Sequence, residues 1–141
     1  MELETVLYRK DGNVGIVTLN RTKAMNSLNK QIFADLTTAF EAAKSDHEVR
    51  CVVLNAEGRA FCAGGDIAEM KGITTEKDFF DFMSVAGGFT TLLNPFPKPV
   101  VAAAQGAIAG AGVSLLMASD IALVAEDAAF IVAFGQVGLI P

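Results

Sequence analysis

A chain of 141 residues with 52% apolar and 19% charged side chains is long enough for one domain that buries about 70% of its unfolded surface, yet has little polar material to cover itself. Its formal charge of -5 excludes nucleic acid as the main partner, because a polyanion is held by clustered Lys and Arg that displace counterions. The surplus of apolar surface predicts subunit contacts or a partner segment. Cys51 and Cys62 follow no ligand-like spacing, and the opening "MELETVLYRKDG" has acidic residues and no apolar signal core. Reduced thiols in a cytoplasmic protein are the expectation.

Residues 3–9 and 14–20 read as strands flanking Asp11-Gly12, a hairpin signal, so an antiparallel pair opens the chain. Over residues 29–44, Ile32, Phe33, Leu36, Ala39, Phe40 and Ala43 recur at helical spacing behind Asn29, a suitable N-cap. "CVVLNA" at 51–56 is a short continuous apolar run, as in a strand buried on both faces. The chain then turns through "EGRAFCAGG" into a short helix, where Asp66 followed by Glu69 resembles a capping box.

Residues 75–93 carry apolar residues near helical spacing, with Gly87 and Gly88 weakening the middle, and "NPFPKP" ends that helix. "VVAAAQG" at 100–106 reads as a buried strand, 109–119 as a helix beginning inside a glycine-rich turn, 121–126 as a strand, and "AAFIVAF" as a further short strand. No charge falls between Lys98 and Asp120, a stretch long enough to span a bilayer. Its Ala and Gly content, with Gln105, Ser114 and a leading Pro99, instead predicts a buried strand leading into a helix.

A buried strand, a small-residue turn and a helix therefore occur twice, at 51–70 and 100–118. Each helix start leaves main-chain N–H groups unpaired, and the helix dipole adds positive potential there. Two such ends brought together would form a pocket for developing negative charge, an oxyanion hole. The competing reading is that Gly64, Gly65, Gly110 and Gly112 only let helix pack closely on sheet, and spacing alone favours it. Neither a phosphate loop nor a dinucleotide fingerprint is present. Arg21, Lys23, Arg59 and Lys71 read as scattered surface charge, and His47 as a surface turn residue.

"NRTKAMNSLN", "RAFCAGGDIAEM" and "AQGAIAGAGVSLLMASDIALVAEDAAF" stand in the order and at about the separations seen in the enoyl-CoA hydratase/isomerase (crotonase) family, which the chain resembles over residues 5–141. The resemblance implies an α/β fold, a spiral of ββα turns, of which 1–141 would be the N-terminal portion of the acyl-CoA-binding core, with the C-terminal helices absent. It places oxyanion donors at the N–H groups of Gly65 and Ala111, gripping the thioester carbonyl of an acyl-CoA. Contacts to CoA would fall at Ala24, Ala63, Gly64, Asp66 and Ile67, largely through backbone. It further implies no metal or redox cofactor, no membrane partner, and a homotrimer or hexamer at full length.

Where family hydratases carry two glutamates, this chain has Ser114 and Phe134, and neither is a base near neutral pH. The nearest branch contains ring-epoxide phenylacetyl-CoA isomerases, which place a catalytic aspartate after the proline of "GLxP"; here an acidic residue is expected after Pro141. Thr22 and Ser27 replace the family's common proline and alanine. The expectation is an isomerase-type enzyme working through a thioester enolate. The alternatives are a broad-specificity hydratase using a base beyond residue 141, and a non-catalytic acyl-CoA-binding subunit.

Overall fold

The computed structural model describes residues 1–132 and 134–137. Strands β1 (Val6–Asp11) and β2 (Val14–Leu19) pair antiparallel from Val6 opposite Leu19 to Asp11 opposite Val14. Asp11 is thus the last paired residue and Gly12-Asn13 form the loop, with Gly12 at φ +55°, a left-handed conformation open to glycine at no steric cost. Helix α1 (Lys30–Ser45) follows, and its N-cap is Asn29, whose Oδ1 accepts the Ile32 N–H at 2.9 Å. The expected apolar stripe is buried. So is Asp35, whose carboxylate accepts the Thr5 N–H at 2.8 Å and the Thr5 hydroxyl at 2.7 Å.

Downstream come β3 (Cys51–Ala56), β4 (Ala60–Cys62), α2 (Ile67–Lys71), α3 (Glu76–Leu93), β5 (Val100–Ala104), β6 (Ala107–Ala109), α4 (Ala111–Met117), β7 (Ile121–Val124) and β8 (Ala129–Ile131). They form two sheets, ordered β1-β2-β3-β5-β7 and β4-β6-β8, and among the described residues every strand-to-strand pairing after the opening hairpin is parallel, beside one isolated antiparallel bridge of Ala60 with Gly106. Each turn of the chain gives one strand to each sheet: β3 then β4, β5 then β6, β7 then β8. This is the ββα spiral that the resemblance implies.

The reading of residues 57–65 as a turn is corrected by β4, and β6 lies between the strand expected at 100–106 and the helix expected from 109. Three residues are too few for a period-2 signal, although each strand fully buries one large side chain, Phe61 in β4 and Ile108 in β6. Backbones approach closely at this second sheet. A Cβ on Gly106, at φ +61°, would lie 1.9 Å from the Arg59 carbonyl oxygen, and one on Gly112 would lie 2.7 Å from that of Cys62. Gly112 therefore does serve packing, of α4 on β4.

Helix α3 runs unbroken through Gly87 and Gly88, around which a Cβ would meet nothing within 4 Å. Phe89 on its buried face meets Phe40 edge-on at 5.5 Å, and Phe96, past the helix end, meets Phe40 at 5.3 Å. Aromatic edge-to-face pairs of this kind add about 1 kcal/mol each beyond area burial, so α3 is fixed on α1 at its C-terminal half. Among the described residues no helix is long and apolar enough to cross a membrane. Exposed apolar side chains lie on β7, β8 and the end of α4, among them Met117, Ile121, Leu123 and Phe130, and also on α2 and α3, among them Ile67, Phe80 and Met83.

Candidate active site

Parallel pairing of β4 with β6 brings the bends that follow them to the same end of the small sheet. The first bend is Ala63-Gly64-Gly65-Asp66 and the second is Gly110, with φ +96° at Gly64 and +47° at Gly110. The two touch: a Cβ on Gly64 would stand 3.0 Å from the Ala109 carbonyl oxygen and 3.7 Å from the Gly110 Cα. Only residues without side chains permit that approach at those backbone angles.

Gly65 is held in a parallel bridge with Leu28: the Leu28 N–H donates to the Gly64 oxygen at 2.7 Å, and the Asp66 N–H donates to the Leu28 oxygen at 2.9 Å. In such a bridge the flanking residues make the hydrogen bonds, so the N–H of Gly65 itself is turned to the other side. At the second bend the Gly110 N–H is taken by the Ile131 oxygen at 2.9 Å. Among the described residues, neither the Gly65 nor the Ala111 N–H has a hydrogen-bond partner. Helices α2 and α4 are only five and seven residues long, so these two N–H groups matter more than any macrodipole behind them.

Gly64, Gly65, Gly110 and Ala111 line one cavity of about 170 Å³, with Ala63 and Ile67 also on its wall. The rest of the lining is apolar, including Leu28, Phe33, Met70, Phe82 and Phe134, and contains no titratable side chain among the described residues. Of the expected site residues, Ala24 and Asp66 do not line it. Ala24 closes the 3-10 turn Thr22–Ala24, next to Met25, whose carbonyl accepts the Ala63 N–H at 3.0 Å. Ser114 is exposed and off the cavity, whereas Phe134 is on it. The expected sequence "GLIP" at 138–141 lies outside the described residues.

Asp66 sits behind α2 as its N-cap, with Oδ1 accepting the N–H groups of Ala68 at 2.9 Å and Glu69 at 3.2 Å. The reciprocal half of a capping box is missing. Glu69 accepts instead from the Lys30 N–H at 3.0 Å, because the Asp66 N–H is engaged by Leu28. Burial opposes the Asp66 charge, but the Arg21 hydrogen bond, the two capping N–H groups and the Arg21 charge outweigh it and hold the carboxyl below its ordinary value. Cys62, at the end of β4, is buried, and burial pushes its thiol up to about 12.

Two residues to which the sequence reading gave no site role organise the loop before α1. Arg21, expected as scattered surface charge, is paired with Asp66 at 2.5 Å. Asn26 is fully buried at φ +54°; its amide donates to the Glu57 and Ala60 oxygens at 2.9 Å, and its Oδ1 accepts the Arg21 N–H at 2.8 Å. The usable signal was Asn itself, which tolerates left-handed backbone better than other side-chain-bearing residues.

Residues 9–141 match the family model described as enoyl-CoA hydratase/isomerase. The chain is 34% identical over 144 residues to a trans-2-decenoyl-acyl-carrier-protein isomerase of Streptococcus mutans, covering 100% of this chain and 55% of that protein. To a 1,2-epoxyphenylacetyl-CoA isomerase of Escherichia coli it is 36% identical, covering 99% and 54%. The crystal structure of an enoyl-CoA hydratase from Polaromonas sp. JS666 superposes with a TM-score of 0.92 at 33% identity, covering 96% of this chain and 54% of that one. The chain thus spans about half the length of the relatives it matches. With the spiral fold, the paired glycine bends and this match in hand, the chain belongs to the enoyl-CoA hydratase/isomerase family.

Proposed function

We propose that this chain carries the carbonyl-binding half of an acyl-CoA enzyme, in which the N–H groups of Gly65 and Ala111 donate to one thioester oxygen. The carrying observation is that Gly65 and Ala111, on bends that approach closely, line one apolar cavity, and that neither N–H has a hydrogen-bond partner among the described residues. As an enolate forms, charge accumulates on that oxygen, and each aimed donor contributes about 3 to 4 kcal/mol to the transition state. The CoA portion takes its contacts from Ala24, Ala63, Gly64, Asp66 and Ile67, mainly through backbone. The developing charge is met by dipoles, so the reading calls for no metal or redox cofactor.

Isomerisation is favoured over hydration, because Ser114 and Phe134 supply neither of the two carboxylates that would handle water and a proton. The acid/base group then comes from sequence following Pro141. The exposed apolar side chains of β7 and β8 fit a trimeric or hexameric assembly of the full-length protein, and its free thiols fit the cytoplasm.

The test is turnover by the full-length protein. Isomerisation of a 3-enoyl-CoA creates the absorbance of a conjugated enoyl thioester, whereas hydration of a 2-enoyl-CoA removes it. Gain on the first substrate supports the isomerase, and loss on the second alone supports the hydratase. Tight binding of both with turnover of neither leaves a binding subunit, and binding of neither overturns the proposal.

A further inference from the structure

Of the motif "NRTKAMNSLN" only Leu28 lines the cavity, yet the motif holds a cation, Arg21, that pairs with Asp66 of the first glycine bend. Arg21 is only 26% exposed at its side chain, and Asp66 only 9%. One guanidinium nitrogen, Nη1, donates to the Ser27 carbonyl oxygen at 3.1 Å, the Ser27 hydroxyl at 2.7 Å and Asp66 Oδ2 at 2.5 Å. The Ser27 hydroxyl also reaches Asp66 Oδ2 at 3.3 Å.

Ser27 and Asp66 are the neighbours of Leu28 and Gly65, the two bridged residues. The guanidinium therefore straps the strand-like segment at 27–28 to the segment at 64–66 beside their two backbone hydrogen bonds. Leu28 and Gly65 both line the cavity, so a slip of one segment along the other would re-aim the Gly65 N–H. Arg21 is itself held, through its own N–H on the buried Asn26, so the strap is anchored at both ends.

We propose that Arg21 is a positioning residue, which clamps Ser27 to Asp66 across the Leu28–Gly65 bridge and so fixes the aim of the Gly65 N–H. This rests on the reading of Gly65 as an oxyanion donor. A donor misplaced by the order of 1 Å loses up to about a hundredfold in rate, which makes the clamp worth a buried ion pair. Partly buried ion pairs are weak sources of stability, and the role argued for this one is to fix geometry.

The experiment is amide hydrogen exchange and amide NMR on the isotopically labelled chain, wild type, Arg21→Met and Arg21→Lys, with butyryl-CoA as probe and free CoA as control. Arg21→Met is expected to lower protection at the Leu28 and Asp66 N–H groups by about tenfold or more while β2 and β3 keep theirs. It also reduces the response of the Gly65 resonance to butyryl-CoA and leaves that of Ala111. Arg21→Lys, which keeps donors for Asp66 and Ser27, restores part of both effects. Unchanged protection at Leu28 and Asp66, or an equal loss throughout β2 and β3, overturns the inference. If Arg21→Met fails to fold, Ser27→Ala, which removes one of the three acceptors, carries the same comparison. A wild-type chain whose Gly65 and Ala111 amides ignore butyryl-CoA contradicts the reading of the pocket instead, while the exchange data still decide the clamp.

Discussion

Gly64 faces the carbonyl oxygen of Ala109 so closely that a methyl group on its Cα would stand 3.0 Å from that oxygen, with φ at +96°. That close approach joins the two bends, which lead into Gly65 and Ala111. Gly64→Ala is therefore expected to destabilise the chain by about 2 kcal/mol from backbone strain and to weaken butyryl-CoA binding as the bends separate. Urea melts and calorimetric titration check both. A variant as stable as wild type with unchanged binding would show that the bends need no such contact.

Glycines elsewhere separate sharply by environment. Gly106→Ala would drive a Cβ to within 1.9 Å of a backbone oxygen, and a loss of about 3 kcal/mol or more is expected. Gly87→Ala and Gly88→Ala, in open space on α3, are each expected to gain about 0.5 to 1 kcal/mol from helix propensity. Thermal unfolding of the three variants orders them, and a destabilised Gly87→Ala would mean that α3 is not continuous there.

That contrast also marks how much was legible in the sequence. The amphipathic stripe of α1, its Asn29 cap, the hairpin and the apolar runs of β3 and β5 carry enough signal to be read as elements, although β3, expected to be buried on both faces, buries only alternate residues, as β5 does. β4 and β6 have three residues each, so β4 hid inside what looked like a turn and β6 between two expected elements, and with them the second sheet. Gly112 looked interchangeable with Gly64 and Gly110 by spacing, but its neighbour is Cys62 rather than the cavity. Arg21 and Asp66 are 45 residues apart, and local patterning says nothing about a pair at that distance.

Acid should expose the Asp66 ion pair. Its carboxyl lies below the ordinary 3.8 in the folded chain despite burial, through Arg21 and the capping N–H groups, so the stability it contributes is present above that value and is lost as pH falls through the lower folded one. Asp66→Asn keeps a capping oxygen and loses the charge. The stability gap between wild type and Asp66→Asn, measured by urea unfolding, should be full near about pH 6 and shrink below about pH 3.5. A gap that is constant across that range contradicts the pairing.

Thiol chemistry should distinguish the two cysteines. Cys62 is buried with its thiol pushed up to about 12, whereas Cys51 is half-buried on β3. The thiolate is the reactive form, so iodoacetamide at mildly alkaline pH should label Cys51 in the folded chain and reach Cys62 only after unfolding. Peptide mass mapping checks the order, and early labelling of Cys62 would mean that β4 opens readily.

The most direct measurement is the carbonyl stretch of butyryl-CoA carrying carbon-13 at the thioester carbon, taken by isotope-edited infrared difference spectroscopy on the bound complex. Two N–H donors on one oxygen polarise the C=O bond, so the band should move to lower frequency in wild type and in Gly65→Ala, whose new Cβ meets only the Met70 Sδ, the far part of an unbranched side chain, at 3.3 Å. In Gly65→Pro, which lacks the N–H and is first checked for folding by circular dichroism, most of that shift should vanish. A bound thioester whose band stays at its solution frequency in wild type, or shifts equally in the proline variant, contradicts the assignment of Gly65 and Ala111 as the donors.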